Sequence, residues 1–78
     1  MNGVSRMKNK AYYESLYPKG TVLELTESMD DPYSPKPIGS KFMVSFIDDA
    51  LNIHGSWLPP CRGSISIIIG VDKFKIAD

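Results

Sequence analysis

Two pairs of adjacent aspartates, Asp30-Asp31 and Asp48-Asp49, are the densest acidic groups of this 78-residue sequence. Carboxylate oxygens are the ligands that Ca²⁺ prefers, so the two pairs could bind a cation if their loops met in space. Their spacing lacks the alternating ligands and the closing glutamate of an EF-hand loop. Turn chemistry explains them equally simply, because aspartate caps its own backbone and Asp31 precedes Pro32. The sequence therefore favours turns at both places and predicts no metal.

His54 and Cys61 are the single histidine and the single cysteine. They could form a nucleophile–base pair across a hairpin, with Arg62 beside the thiol. No oxyanion donor is identifiable, however, and a zinc site needs three or four protein ligands. We therefore expect no catalytic residue, no cofactor and no enzymatic activity. A single cysteine cannot form an internal disulfide, so nothing requires an oxidising compartment.

The aromatic residues suggest contact with a partner instead of catalysis. Tyr33 lies in a proline-rich stretch, and Trp57 lies near the end of an apolar alternating run. Tryptophan and tyrosine are favoured contact residues, and small barrels bind proline-rich or extended peptides where such side chains meet. The structural alternative is that Trp57 seals one end of the fold while Tyr33 packs the long loop against it. The candidate partner-binding residues are Tyr17, Tyr33, Trp57, Pro59 and Arg62.

Length and composition indicate one small folded domain. An apolar content of 42%, with 10% aromatic residues, argues against intrinsic disorder. The formal net charge of zero argues against a general polyanion binder, whose affinity depends on many lysine and arginine contacts. The N-terminus has no apolar signal-peptide core, and no apolar run approaches the roughly 18 residues that span a bilayer. We therefore expect a cytoplasmic protein with no membrane partner.

Alternation of apolar and polar residues predicts five short strands. The expected strands are 21–26, 41–47, 51–57, 64–69 and 73–76. Their predicted core-facing residues are Leu23, Leu25, Phe42, Val44, Phe46, Leu51, Ile53, Trp57, Ile65, Ile67, Ile69, Phe74 and Ile76. No helical stripe of useful length competes with this pattern.

The connections between these strands predict the topology. A long first loop at 27–39 contains three prolines, which either stiffen it or present a polyproline segment. A tight Asp48-Asp49 turn, a stiff 58–63 loop and a brief 70–72 turn follow. This order is that of an all-β, five-stranded SH3-like barrel, whose closure removes most exposed edges. The barrel is expected at 17–78, after a flexible segment at 1–16 that contains one helical turn at 11–16 and ends before Pro18.

Several short motifs occur in the same order in a known group of proteins. They are Tyr17-Pro18-Lys19-Gly20-Thr21, Met29-Asp30-Asp31-Pro32-Tyr33-Ser34-Pro35, Ile47-Asp48-Asp49, Ile53-His54 and Trp57. In this pattern the sequence resembles a family of short bacterial and phage-type proteins classed as a domain of unknown function. The resemblance implies a small SH3-like barrel and supplies no catalytic residues.

The sequence departs from that pattern at two places. Gly55 stands where the family usually has valine, which predicts a hole in the apolar row of its strand. The segment 58–62 replaces a shorter turn after Trp57, so any function placed on that loop in the family does not transfer directly.

Two functions follow as hypotheses. The first is a non-enzymatic accessory or adaptor module that binds an unidentified protein or peptide. The second is a small nucleic-acid-binding barrel that stacks bases on aromatic residues within a basic groove. The cations that would have to converge for it are Arg6, Lys8, Lys10, Arg62, Lys73 and Lys75. The acidic loops and the net charge make this second function the less favoured one.

Overall fold

The computed structural model describes residues 9–30, 32 and 34–77. In chain order they form a helix and five strands: α1 (Lys10–Leu16), β1 (Val22–Leu25), β2 (Lys41–Ile47), β3 (Asn52–Trp57), β4 (Ile67–Ile68) and β5 (Phe74–Ile76). The five predicted strands are therefore confirmed. The fourth is much shorter than the sequence pattern suggested, because residues 64–66 do not join the sheet.

All neighbouring strands are antiparallel and lie in the order β4-β3-β2-β1-β5. Strands β2, β3 and β4 form a meander, and β5 returns to pair with β1 on the other side. This is the connection order that the long first loop and the three shorter turns predicted. The protein is thus an all-β domain with one short helix, and β4 and β5 form the edges of its sheet.

One face of the sheet carries the core. Leu23 and Leu25 of β1 and Phe42 and Val44 of β2 are each at most 2% exposed, as the alternation predicted. The other buried apolar residues are Met29, Ile47, Ile53, Trp57 and Ile67. The partly buried side chains packed against this cluster are Tyr13, Tyr17, Leu51, Cys61, Ile69 and Phe74.

A β-bulge in β2 overturns one of the face predictions. The β2–β3 register pairs Val44 with Gly55 and then Phe46 with His54, so Ser45 has no partner in the ladder. An extra residue in one strand reverses the alternation beyond it. Phe46, predicted to face the core, is therefore 57% exposed, whereas Ile47 is 2% exposed. The exposed Phe46 ring stacks on His54, with ring centroids 4.5 Å apart.

Gly55 marks a close approach between β2 and β3, and the predicted hole at this position is wrong. A Cβ added here would collide with the main-chain carbonyl oxygen of Met43, and it would lie only 3.0 Å from Cε2 of Phe42. The space is occupied by neighbouring backbone and by an aromatic ring. A glycine is therefore required here because any side chain would collide with its neighbours, and not because the backbone has a positive φ.

Helix α1 confirms the expected helical turn before Pro18. The side chain of Asn9 caps it by accepting a hydrogen bond from the backbone N–H of Tyr12 at 2.9 Å. Lys10, the first helical residue, forms a 3.1 Å ion pair with Asp49. Most of the remaining segment, residues 1–8, lies outside the described residues. No helix in the described part of the chain is long and apolar enough to cross a membrane.

Candidate functional site

The Asp48 carboxylate organises the turn between β2 and β3. Its Oδ1 accepts hydrogen bonds from the backbone N–H groups of Ala50 at 3.0 Å and Asn52 at 2.9 Å. Its Oδ2 accepts one from Nδ2 of Asn52 at 3.2 Å and lies 2.8 Å from Nε2 of His54. The hydrogen bond with His54, followed by those from Asn52 and Ala50, lowers the pKa of Asp48 to about 2. The predicted capping role of this aspartate is confirmed.

The acidic pairs do not assemble a cation site in the part of the chain that the structure describes. Asp48 is committed to its turn, and Asp49 pairs with Lys10. Asp31 lies outside the described residues. Among those that are described, no group of three or more histidine, cysteine, aspartate or glutamate side chains could hold a metal ion.

Cys61 and His54 contact different partners. The Cys61 thiol donates a hydrogen bond to Oγ of Ser40 at 3.2 Å. His54 instead contacts Asp48 and Phe46. The nucleophile–base pair considered from the sequence is therefore not formed in this structure.

Trp57 lies in the core and offers little surface to a partner. It is 7% exposed, and its Nε1–H donates to the carbonyl oxygen of Ile65 at 2.9 Å. Its ring meets Phe42 edge to face, with centroids 4.8 Å apart. The burial of Trp57 agrees with the structural alternative for this residue, while the part of that alternative that concerns Tyr33 lies outside the described residues.

Lys36 is the side chain that sequence reasoning missed. Residues 29 and 36 form a small antiparallel bridge inside the long loop, with backbone hydrogen bonds of 2.8 and 3.1 Å. The bridge turns Lys36 inward, where it is 0% exposed. Its ammonium group donates to the carbonyl oxygen of Ser34 and lies 5.3 Å from the centroid of the Trp57 ring. Only its position between Pro35 and Pro37 distinguishes this lysine in the sequence.

The other predicted contact residues that the structure describes lie in two separate places. Tyr17 is half-buried at the end of α1, near Tyr13 and in edge-to-face contact with Phe74 at 5.4 Å. Burial, followed by the nearby Tyr13 and Tyr12 hydroxyls, raises the pKa of Tyr17. Tyr33 lies outside the described residues, while Pro59 and Arg62 are exposed in the loop after β3.

A groove of about 400 Å³ lies between two loops that are distant in sequence. One wall is the turn that ends the long loop and the other is the loop after β3. The residues that line it are Pro37, Ile38, Gly39, Ser40, Lys41, Leu58, Pro59, Pro60 and Cys61. The groove thus contains one predicted contact residue, Pro59, and it reaches to the residue before another, Arg62.

Hydrogen bonds fix both walls of this groove. In the first wall, the Ser40 N–H and hydroxyl donate to the carbonyl oxygen of Pro37 at 3.1 and 2.7 Å. In the second, the Cys61 N–H donates to the carbonyl oxygen of Leu58 at 3.0 Å, and the Pro59–Pro60 peptide bond is cis. The Cys61–Ser40 hydrogen bond joins the two walls at the base. The backbone and side-chain hydrogen bonds of its own residues therefore order both walls of the groove.

Comparison with known proteins places the chain in a family. No curated protein and no solved structure gives a significant match to the sequence. The model of one family, described as Domain of unknown function (DUF4314), matches residues 6–77. This match includes both walls of the groove, the Asp48 turn and every strand. The chain therefore belongs to the DUF4314 family.

Proposed function

We propose that the protein is a non-enzymatic accessory module of a bacterial or phage system, and that it binds an extended peptide segment of another protein in the groove between residues 37–41 and 58–61. The observation that carries this proposal is the exposed Ile38 side chain beside the prolines of both walls. Ile38 is 68% exposed, the highest value among the large exposed hydrophobic residues of the described chain. Apolar residues that converge on a concave surface favour ligand binding.

The rigidity of the groove supports a binding role. Three of its lining residues are prolines, and both turns are held by backbone hydrogen bonds. A surface that is already ordered loses little conformational entropy when a ligand binds, so more of the contact energy appears as affinity. An extended peptide with aliphatic or proline side chains matches the apolar walls, as in other modes of peptide recognition by small domains.

The chemistry of the lining residues supports binding more than catalysis. The one thiol in the groove, Cys61, already donates to Ser40, and the hydroxyl of Ser40 donates to Pro37. The groove lining contains no histidine and no carboxylate that could serve as a general base. We also place the protein in the cytoplasm, a proposal that rests on the free thiol of Cys61, its single cysteine.

A peptide library displayed on phage tests this function. Clones selected on the wild-type protein would be measured against Ile38→Asp, which places a charge in the groove. The matched control is Val71→Asp, because Val71 is also highly exposed, at 65%, and lies in the turn before β5. We expect clones that bind wild type and Val71→Asp but lose affinity for Ile38→Asp. Selected clones that bind both variants equally would overturn the proposal.

Nucleic-acid binding is the alternative function, and a separate assay tests it. Two of the described cations already lie beside acids: Lys10 pairs with Asp49, and Lys75 lies opposite Glu24 in the sheet register. Mobility-shift assays with single- and double-stranded DNA and RNA at low salt measure this directly, since electrostatic affinity is greatest there. If the protein binds nucleic acid and the peptide selection yields no groove-dependent clone, nucleic-acid binding becomes the favoured function and peptide binding is rejected.

A further inference from the structure

We infer that the peptide in the groove carries an aspartate or glutamate beside the apolar residue that contacts Ile38. The carboxylate of this acidic residue forms an ion pair with the Lys41 ammonium group. The inference rests on the proposed function, and it adds the chemistry of the ligand to it. Lys41 is the one charged residue among the nine that line the groove.

The side chain of Lys41 is available for such a contact. Lys41 is exposed at the first position of β2. Within residues 9–30, 32 and 34–77, no carboxylate lies within ion-pair distance of its ammonium group. A lysine at the mouth of an apolar groove can extend its stem along the wall and keep its charge at the rim.

The sheet around Lys41 keeps the local charge positive. The register places Glu24 of β1 directly beside Lys41, and Lys75 of β5 beside Glu24 on the other side. This cross-strand row therefore contains two cations and one anion. The row therefore carries a net charge of +1, which favours a negatively charged ligand near Lys41.

Arg62 adds a second positive charge at the opposite wall. It directly follows Cys61, and its backbone N–H donates to Oγ of Ser34 at 3.3 Å, which ties its loop to the long loop. Its side chain is exposed and forms no ion pair with the described residues. Arg62 is not a lining residue, but as an exposed cation next to the lining residue Cys61 it adds to the positive charge near the groove.

The selected peptides themselves provide the first test. Clones whose binding depends on Ile38 should contain an aspartate or glutamate next to an aliphatic residue or proline. Groove-dependent clones with neutral or basic sequences would overturn this inference and leave the proposed function standing. If no clone depends on Ile38, the proposed function fails, and this inference fails with it.

Synthetic peptides from the strongest clone provide the second test, by fluorescence anisotropy. We expect Lys41→Gln to weaken binding about threefold to fivefold, as for a solvent-exposed ion pair, and Lys41→Glu to weaken it further. Replacing the acidic residue of the peptide by its amide should remove the difference between wild type and Lys41→Gln. Raising the salt concentration should also reduce it, because exposed charges are screened.

The matched control is Lys19→Glu. Lys19 is exposed beside Ser45, Phe46 and Ile47, at the opposite end of β2 from Lys41. This substitution changes the net charge by the same amount as Lys41→Glu and should leave the affinity unchanged. Equal loss of affinity in both variants would show that only the overall charge matters and would overturn the role of Lys41.

Discussion

The ammonium group of Lys36 lies 5.3 Å from the centre of the Trp57 ring, and both residues are buried. This contact joins the long loop to the end of β3, next to the start of β2. Lys36 is flanked by Pro35 and Pro37, and Pro37 begins the first wall of the groove. The buried lysine therefore helps to hold that wall on the sheet, together with the backbone hydrogen bonds that join Gly39 and Ser40 to Leu25 of β1.

Truncation of Lys36 tests which part of the side chain matters. We expect Lys36→Ala to lower the free energy of unfolding by about 2–3 kcal/mol, the cost of emptying a buried aliphatic site. Lys36→Met should cost less than Lys36→Ala, because methionine keeps the buried aliphatic stem and loses only the polar contacts of the ammonium group, among them those with Ser34 and the Trp57 ring. Urea unfolding followed by Trp57 fluorescence measures both. Equal losses in the two variants would show that the charge, and not the stem, holds the loop.

Substitution of Gly55 should be among the most damaging single changes. In Gly55→Ala the added methyl group meets the carbonyl oxygen of Met43, a backbone atom that cannot move without separating β2 from β3. We expect a loss of at least about 3 kcal/mol in the free energy of unfolding. Gly39→Ala is the control, because its φ of +94° strains an alanine while nothing lies within 4 Å of the new Cβ. A smaller loss for Gly55→Ala than for Gly39→Ala would contradict the close approach.

Asp48 should make the stability depend on pH in the acid range. The folded state lowers the pKa of this carboxyl from 3.8 to about 2, so the unfolded state binds its proton first as the pH falls. The stabilisation is therefore complete above about pH 5 and declines as the pH falls towards 2. Asp48→Asn should be less stable than wild type at pH 7, and the difference should narrow at pH 2–3. Chemical denaturation across this range measures it, with Asp49→Asn as the exposed neighbouring control.

Tyr17 should contribute to stability through its ring. It lies between Tyr13 and Phe74 and so connects α1 to β5. We expect Tyr17→Ala to cost about 2–3 kcal/mol, whereas Tyr17→Phe keeps both ring contacts and changes the stability by less than about 1 kcal/mol.

The hydroxyl of Tyr17 has its own measurable property. Since burial raises its pKa above 10.0, an alkaline absorbance titration should lose its late-ionising component in Tyr17→Phe. If the phenol absorbance that Tyr17→Phe removes belongs to the early part of the titration, the raised pKa of Tyr17 is contradicted.

Much of the fold follows from local pattern in the sequence. Alternation identified the strands and the buried positions Leu23, Leu25, Phe42 and Val44, because each of these strands buries one face. The Asp48 turn and the stop before Pro18 were also predictable, since both depend on the chemistry of neighbouring residues. These features need no knowledge of what lies across the sheet.

Ile65 and Ile76 were also predicted to face the core, but they are 39% and 47% exposed. Other features that the sequence failed to predict depend on distant neighbours. The exposure of Phe46 comes from a β-bulge. A bulge depends on how two strands pair, so the sequence of one strand does not reveal it. The burial of Lys36 depends on Trp57, and the glycine at position 55 is explained only by Met43 and Phe42 on the adjacent strand. Among the predicted contact residues, Pro59 lines the groove, Trp57 is in the core, and Tyr33 lies outside the described residues.

The two walls of the groove belong to segments that are distant in sequence and that the β2–β3 pairing brings together. Leu58 donates its N–H to the carbonyl oxygen of Lys41 at 2.9 Å, directly at the point where the walls meet. The unfolded chain has no such surface, so a peptide that binds there binds the native state alone. Binding of the proposed peptide would therefore be thermodynamically linked to folding, and at a concentration 100 times its dissociation constant such a peptide would add about 2.7 kcal/mol to the stability. For a domain of this size, that is a substantial part of the total.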